Sequence, residues 1–370
     1  MSLLFDETQE AIAQEASKII ETFHGNSDRL AHIETIGAYD KKLHELAIAQ
    51  GWFGVSIPES YGGLGLDLAT AGLIASKYGA IAHGVPFLTS SFGFAQALLL
   101  SNSEDVKANY LPPISDGQKI GCFGFAEGQD TLPQNSIIEI KSGKINGTKP
   151  AIIGALKADY AIILGRENGA PVLALVDLGQ ATIKRRPIGT YDNSRLLADL
   201  VFENSNCQTL AIGAAAIDIA NQTLARLGVL YAFEQLGAAE DLMKTARNYA
   251  IEREAFGQKI GAFQSVKHRI TELYALVELA RANAIDATAR SGSDFILAAA
   301  AARLSASEAY DTAARDCMQI HGAIGVTWEL GLHLHLRRAR SLANEIGNNF
   351  YWEDVLVQEL LSANMKGAAA

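Results

Sequence analysis

Tyr249 to Arg269 reads YAIEREAFGQKIGAFQSVKHR, and the interpretation of the whole chain turns on it. Tyr249 and Arg253 are four residues apart and Phe256 follows three later, a spacing that predicts one helical face carrying phenol, guanidinium and phenyl. Gly257 is expected to close that helix, and Gly261-Ala262-Phe263-Gln264 to open the next. A guanidinium beside an aromatic ring at a helix end suits a phosphate or a stacked planar ring. The same spacing equally suits a helical hairpin whose arginine pairs with a neighbouring carboxylate. Spacing alone leaves both readings open.

On either side of this stretch the texture is helical. Upstream, a helix is expected over residues 209–256, with Gly228 and Gly237 as places of close helix contact. Downstream, Val266, Ile270, Leu273 and Val277 form one stripe of a helix ending at Gly292. Ser293 can cap a further helix that runs to Gly322, and an amphipathic stretch covers residues 328–363.

The middle of the chain differs. IGCFGF (120–125), IIEI (137–140), DYAIIL (159–164), VLALVDL (172–178) and LADLVF (197–202) are short β-rich runs. Ser142-Gly143, Asn146-Gly147 and Glu167-Asn168-Gly169 are turn signals between them. With no helices interposed, they predict an antiparallel barrel or sandwich. The N-terminal part is helical again: residues 6–24 capped by Asp6, Asp40 to Gln50 stopped by Gly51, then 68–80, 90–101, and a short helix ended by Pro112-Pro113. Between them, WFGVSIPESYGGLGLDL (52–68) is a glycine-rich shaped loop. Its GGLG is a poor phosphate cradle without a surrounding βαβ pattern. The expected organisation is α+β, mainly α: an N-terminal helical domain (1–116), a middle antiparallel β-domain (117–208) and a C-terminal four-helix bundle (209–370).

Composition narrows the functional classes. The 370 residues are 49% hydrophobic and 19% charged, with mean hydropathy +0.09. A low charged fraction points to large buried surfaces and oligomeric association. The net charge of −10, without a basic run, argues against nucleic acid. Cys122, Cys207 and Cys317 lack metal spacing and are expected to be buried free thiols. Neither a basic, apolar leader nor a membrane-length apolar run is present, so a cytoplasmic location with no membrane partner is expected.

Four motifs in order resemble the acyl-CoA dehydrogenase family over nearly the whole chain. GWFGVSIPESYGGLGLDL is similar to its N-terminal loop, and KINGTKPAIIGALKADYAIIL to its β-domain segment. YAIEREAFGQKIGAFQSVKHR resembles its "Y…R..FG..I..fQ" pair, and QIHGAIGVTWE its "Q..GG.G.t.E" turn. The resemblance implies a dimer of dimers that takes a proton from the α-carbon of an acyl-CoA and passes hydride to FAD. Electron-transferring flavoprotein is the implied acceptor. In the family the FAD crosses a subunit interface. Arg253, Phe256, Gln264, Gln319 and Gly322 match the residues that reach a neighbour's FAD.

The family's other half is altered. Its "TE…GSD" flavin loop is replaced by Ala126-Glu127-Gly128-Gln129-Asp130, and its "W-I-T" triplet by Ala151-Ile152-Ile153. Ungapped counting from Gln319 puts Ile346 where most members carry the catalytic carboxylate. Leu227 stands where a minority carry it, and Gly228 in place of the following Arg would make the pocket roomier. Glu345 and Glu234 are then the remaining candidates for a base. Three expectations follow. One is a subunit that completes the FAD site of an unlike partner, as in family branches acting on steroid and other bulky acyl-CoA thioesters, which GVTWELGLHLHLRRAR resembles. The others are a self-sufficient enzyme with a displaced base, and a scaffold without redox chemistry. No metal site is expected, since the two residues of His333-x-His335 face about 200° apart on a helix. Arg337, Arg338 and Arg340 are expected at a solvated face or interface.

Overall fold

The computed structural model describes residues 5–23, 28–82, 91–133 and 135–368. The chain forms two compact units. One comprises Met1–Leu30, Gly72–Ala82 and Gly228–Ala370, and the other Ala31–Ala71 and His83–Leu227. Helices occupy the chain up to Ser115, strands the span from Gly121 to Ile212, and mostly helices the remainder. None of the described helices is long and apolar enough to cross a membrane.

Helix α1 (Glu7–Glu21) starts where its capping chemistry dictates. The Asp6 carboxylate accepts from the Gln9 amide at 2.8 Å, and the Gln9 side chain accepts from the Asp6 amide at 3.1 Å. After α2 (Asp28–Glu34), α3 (Lys41–Ala49) is capped by Asp40 and stopped at Gly51, whose φ is +69°. Helices α4 (Leu68–Gly79), α5 (Phe92–Leu100) and α6 (Glu104–Ser115) follow; residues 24 and 90, the ends of two expected stretches, lie outside the described residues. Pro112-Pro113 does not end α6. The rings hold φ near the helical value, and the Pro112 carbonyl still accepts from the Asp116 amide at 3.1 Å.

The β-region is one eight-stranded sheet. Its strands are β1 (Gly121–Gly124), β2 (Glu139–Lys141), β3 (Lys144–Ile152), β4 (Tyr160–Glu167), β5 (Ala170–Asp177), β6 (Ile183–Pro187), β7 (Ala198–Asn206) and β8 (Gln208–Ile212). The order is β6-β7-β3-β2-β4-β5-β8, with β1 also on β4. Most pairs are antiparallel as expected, but β1–β4 and β2–β4 are parallel, so the sheet is mixed. Ser142-Gly143 and Asn168-Gly169 form two-residue hairpin turns with positive φ at both positions. Asn146-Gly147 is not a turn: it lies inside β3, where the register against β7 shifts between Ile145 and Gly147. The Asn146 side chain there accepts from the Asn204 amide at 2.7 Å. Ile140, Ile163, Val172, Val176 and Leu200 are buried in the core beneath the sheet.

Long helices dominate the other unit. Helix α7 (Ala214–Glu252) continues into it, followed by the hairpin β9 (Glu254–Ala255) and β10 (Gln258–Lys259). Then come α8 (Gln264–Ala289), α9 (Ser293–His321), α10 (Leu332–Asn344) and α11 (Asn349–Ala368). Gly292, rather than Ser293, occupies the cap position of α9, and Gly322 ends that helix with φ +64°. The single amphipathic stretch expected over 328–363 is two helices, because the chain turns at Ile346-Gly347 with φ +52° and +101°. Buried alanines line α8 (Ala280, Ala284, Ala287) and α9 (Ala302, Ala306, Ala309) and let the two backbones lie close. Gly237 does the same for α4 and α7: a Cβ there would stand 1.7 Å from the Ser76 carbonyl oxygen.

Candidate functional site

The quoted stretch is not continuous helix to Gly257. Helix α7 stops at Glu252, and residues 254–259 form a two-residue hairpin with Phe256 (φ +52°) and Gly257 (φ +80°) at its tip. Tyr249, Arg253 and Phe256 therefore do not share one helical face. The reason is local: Gly257 admits positive φ at no steric cost, and the second strand is secured when the Ile260 amide donates to the Arg253 carbonyl at 2.8 Å. The other expected opening holds, with a 3-10 turn at Ile260–Ala262 leading into α8 at Gln264.

At the hairpin tip Phe256 is 96% exposed, its ring edge-on to Phe263 with centroids 6.3 Å apart. A bulky residue in the left-handed region costs about 1–2 kcal/mol, and exposure returns almost nothing to its own chain. Phe256 lines a cleft of about 490 Å³ with Ile260, Phe263, Val266, Arg269, Gln319 and Ile320. Arg269 is committed to Asp316 at 2.6 Å. By contrast, the exposed side chains of Arg253, Gln264 and Gln319 have no hydrogen bond or ion pair among the described residues. The alternative of Arg253 paired with a neighbouring carboxylate is thus not realised. Gly322 has open space where a side chain would project. Phe256 and Gln319 share the cleft, whereas Arg253, Gln264 and Gly322 are not part of its lining. Beside it, Tyr249 stacks on His321 with ring centroids 4.1 Å apart. Exposed donors, an amide and an aromatic face are the chemistry for an anionic ligand with a planar ring.

In the other unit, Glu127 is turned inward. Its carboxylate accepts from Lys149 Nζ at 2.7 Å, from Ser136 Oγ at 2.5 Å and from the Ile137 amide at 2.8 Å. Burial pushes Glu127 up, but these bonds together outweigh it and hold the carboxyl below its ordinary range. Burial pulls Lys149 down to about 8 against the opposing pull of Glu127. Glu127 and Asp130 bond each other's backbone, which closes the Ala126–Asp130 loop into a tight turn. Ala151 donates its amide to Asp199 at 2.9 Å, and Ile152 and Ile153 are buried. No hydroxyl or indole is supplied by 151–153. In the glycine-rich loop, the amides of Leu64, Gly65 and Leu66 donate to Gly54, Ile57 and Val55 carbonyls, so the loop uses them to hold its own shape.

The two candidate bases are both engaged. Glu234, 2% exposed, pairs with the equally buried Arg338 at 3.3 Å. Glu345 caps α10 and accepts from Tyr231 Oη at 2.7 Å, while Ile346 beside it is buried. Arg303 ties the cluster together. Its guanidinium donates to Gln235 at 2.8 Å, to Ser307 at 2.7 Å and to the Leu342 carbonyl, and lies 5.6 Å from the Tyr231 ring centroid. Burial pulls Arg303 down to about 10 against the opposing pull of Tyr231, Glu345 and Glu234. Sequence reading missed Arg303 and Tyr231, because a lone Arg in the alanine-rich AAAAARLSAS carries no motif. Gly228 does not open a pocket: a Cβ there would meet the Trp352 indole at 3.0 Å. His335 Nδ1 bonds Tyr310 Oη at 3.0 Å while His333 stacks on Trp328, so the two imidazoles serve different neighbours.

Comparison with known proteins bears on this arrangement. Sequence profiles described as acyl-CoA dehydrogenase N-terminal domain and C-terminal domain match residues 6–118 and 217–351. Acyl-CoA dehydrogenase IpdE2 of Mycobacterium tuberculosis is 30% identical over 344 residues, covering 91% of this chain and 92% of the relative. Among solved structures, a chain of the ChsE4-ChsE5 complex from Mycobacterium tuberculosis superposes with TM-score 0.87 at 19% identity, covering 98% of this chain and 99% of the other. A chain of the Tcur3481-Tcur3483 steroid ACAD gives 0.84 at 23%, covering 98% and 99%. At those identities the two structures speak for the fold.

Proposed function

Because the chain belongs to the acyl-CoA dehydrogenase family, whose members are FAD-dependent oxidoreductases acting on acyl-CoA, we propose that it is one subunit of a hetero-oligomeric dehydrogenase of that kind. It lends Arg253, Phe256, Gln264, Gln319 and Gly322 to the FAD of an unlike partner of the same family and carries no working base of its own. The observation that supports this reading is the Phe256 tip: a strained, almost fully exposed aromatic in the same hairpin as Arg253, which has no ion pair among the described residues.

The residues fit the group. Arg253 supplies a permanent cation for the pyrophosphate, Gln264 and Gln319 supply amides, and Phe256 with Phe263 supplies ring faces and edges for a planar heterocycle. Bound FAD supplies the acceptor for the hydride that leaves the β-carbon of the acyl group. The α-proton needs a carboxylate free to meet it. Glu234 is held by Arg338 and Glu345 by Tyr231, which supports assigning that proton to the partner's carboxylate. The internally bonded Glu127 and the Ala151-Ile152-Ile153 segment support the same assignment for the flavin contacts. The steroid ACAD among the structural neighbours supports a bulky polycyclic acyl-CoA as substrate, and the two-protein complex supports an unlike partner. An electron-transferring flavoprotein, named for a further neighbour at TM-score 0.88, is the proposed acceptor.

The test is co-expression with a second family member that retains the flavin loop and the base. The chain purified alone is expected to be nearly colourless, and the pair to hold roughly one FAD. Arg253→Ala in this chain is expected to release FAD from the pair without changing its assembly. Stoichiometric FAD and full activity in the chain on its own would overturn the reading.

A further inference from the structure

A second cleft, of about 300 Å³, opens among α1, α4, α7 and α8 within the helical unit, and none of the residues assigned to FAD lines it. Its wall is apolar where Leu73, Phe233 and Leu236 face it. Its charged groups are mostly spent on each other. Arg281 pairs with Glu240 at 3.1 Å and Glu278 at 3.3 Å, and Glu240 also takes Lys244 at 2.6 Å. Glu10, which is engaged elsewhere, and the exposed Gln14 also line it, and two half-buried polar groups stand apart. The half-buried Lys77 ammonium and the half-buried Ser17 hydroxyl have no hydrogen bond or ion pair among the described residues.

We propose that this cleft is a binding site for a small aliphatic carboxylate. The ammonium and the hydroxyl receive the carboxylate, and the tail lies against Leu73, Phe233 and Leu236. The chemistry is specific in two ways. A half-buried cation without a partner favours an anion more than a surface lysine does, because the low-dielectric wall strengthens the attraction. The apolar wall stabilises the ligand in proportion to tail area, so acetate is too short to profit from it. A volume of about 300 Å³, at the lower end of ligand pockets, matches a short chain better than a polycyclic acid. The site needs no FAD, so its failure and that of the dehydrogenase reading are separable.

The probe is hexanoate, titrated into the full chain by calorimetry and ligand-observed NMR, with acetate and hexanol as controls. Saturable one-to-one binding of hexanoate is expected, with both controls at least ten-fold weaker. Lys77→Met keeps the apolar stem and removes the charge, and is expected to weaken hexanoate at least ten-fold, whereas Lys77→Arg retains most of the affinity. Ala13→Phe, which fills the cleft from α1, is expected to abolish binding. Lys77 makes no hydrogen bond or ion pair among the described residues, so both of its variants are expected to fold and decide the matter even if the Ala13 variant does not. Non-saturable hexanoate binding, or equal affinity in Lys77→Met, would overturn the site, and hexanol binding as tightly as hexanoate would overturn its charge chemistry.

Discussion

Replacing Phe256 with Asn separates what the hairpin costs its own chain from what it does for a ligand. Phe256 has φ +52° and Gly257 φ +80°, the two-residue turn for which Asn-Gly is the favoured sequence. The left-handed conformation costs an ordinary residue about 1–2 kcal/mol, and Asn tolerates it by local hydrogen bonding. Against that gain stands the lost ring, but at 96% exposure, edge-on to Phe263, it contributes little. The net expectation is a hairpin more stable by about 0.5–1 kcal/mol, a factor of roughly two to five. The local reporter is the Ile260 amide, which donates to the Arg253 carbonyl across the hairpin. Its hydrogen exchange is expected to slow by that factor, while FAD retained by the co-purified pair falls. Faster exchange in Phe256→Asn would mean that the ring packs on its own chain. Unchanged FAD retention would mean that the ring does not serve the cofactor. Either result refutes the argument from strain.

Three further outcomes follow from the packing. His44 is buried edge-on between Tyr39 and Phe53, at 5.4 and 5.2 Å, with Nδ1 unbonded; burial lowers its pKa from 6.5, only partly countered by Glu45. The unfolded chain therefore binds the proton first, so stability is full above about pH 6.5 and drains as pH falls toward the folded value. His44→Phe is expected to flatten that slope in urea denaturation at stepped pH. Arg338→Met strips Glu234 of its guanidinium in a buried site and is expected to cost about 3–5 kcal/mol, whereas Glu234→Leu with Arg338→Met together recovers most of the loss. A denaturant-based double-mutant cycle reads both, and equal losses in single and double variants would contradict the pairing. Gly237→Ala drives a methyl into the Ser76 carbonyl at the α4–α7 crossing and is expected to lower stability by about 3 kcal/mol, read as a fall in melting temperature.

What the sequence determined is periodic or capped. Asp6, Asp40 and Gly51 bound their helices because capping is decided within four residues. The β-rich runs became strands, and Ser142-Gly143 and Asn168-Gly169 became hairpin turns, because those residue types tolerate the left-handed conformation. The order helices, sheet, helices and the family motifs followed directly from the amino acids. The same local rules failed where a long-range contact outweighed them. Phe256-Gly257 is the same turn as the other two, but a bulky aromatic at its first position disguises it as helix, and only the strand pairing of 254–259 discloses it. Asn146-Gly147 carries a turn signature and is a bulge because β7 lies alongside. The parallel pairings on β4 join segments separated in sequence, which no local pattern specifies.

For the site, sequence alone named Arg253, Phe256, Gln264, Gln319 and Gly322, and left Arg253 divided between a surface ion pair and a ligand contact. Tertiary structure decided that Arg253 makes no ion pair among the described residues, although Glu252 and Glu254 flank it, and that Phe256 is strained and exposed. It also decided that Glu234 faces Arg338 and Glu345 faces Tyr231, partners 104 and 114 residues away in sequence. A carboxylate's chemistry is fixed by what surrounds it, and those surroundings exist only once the helices have packed.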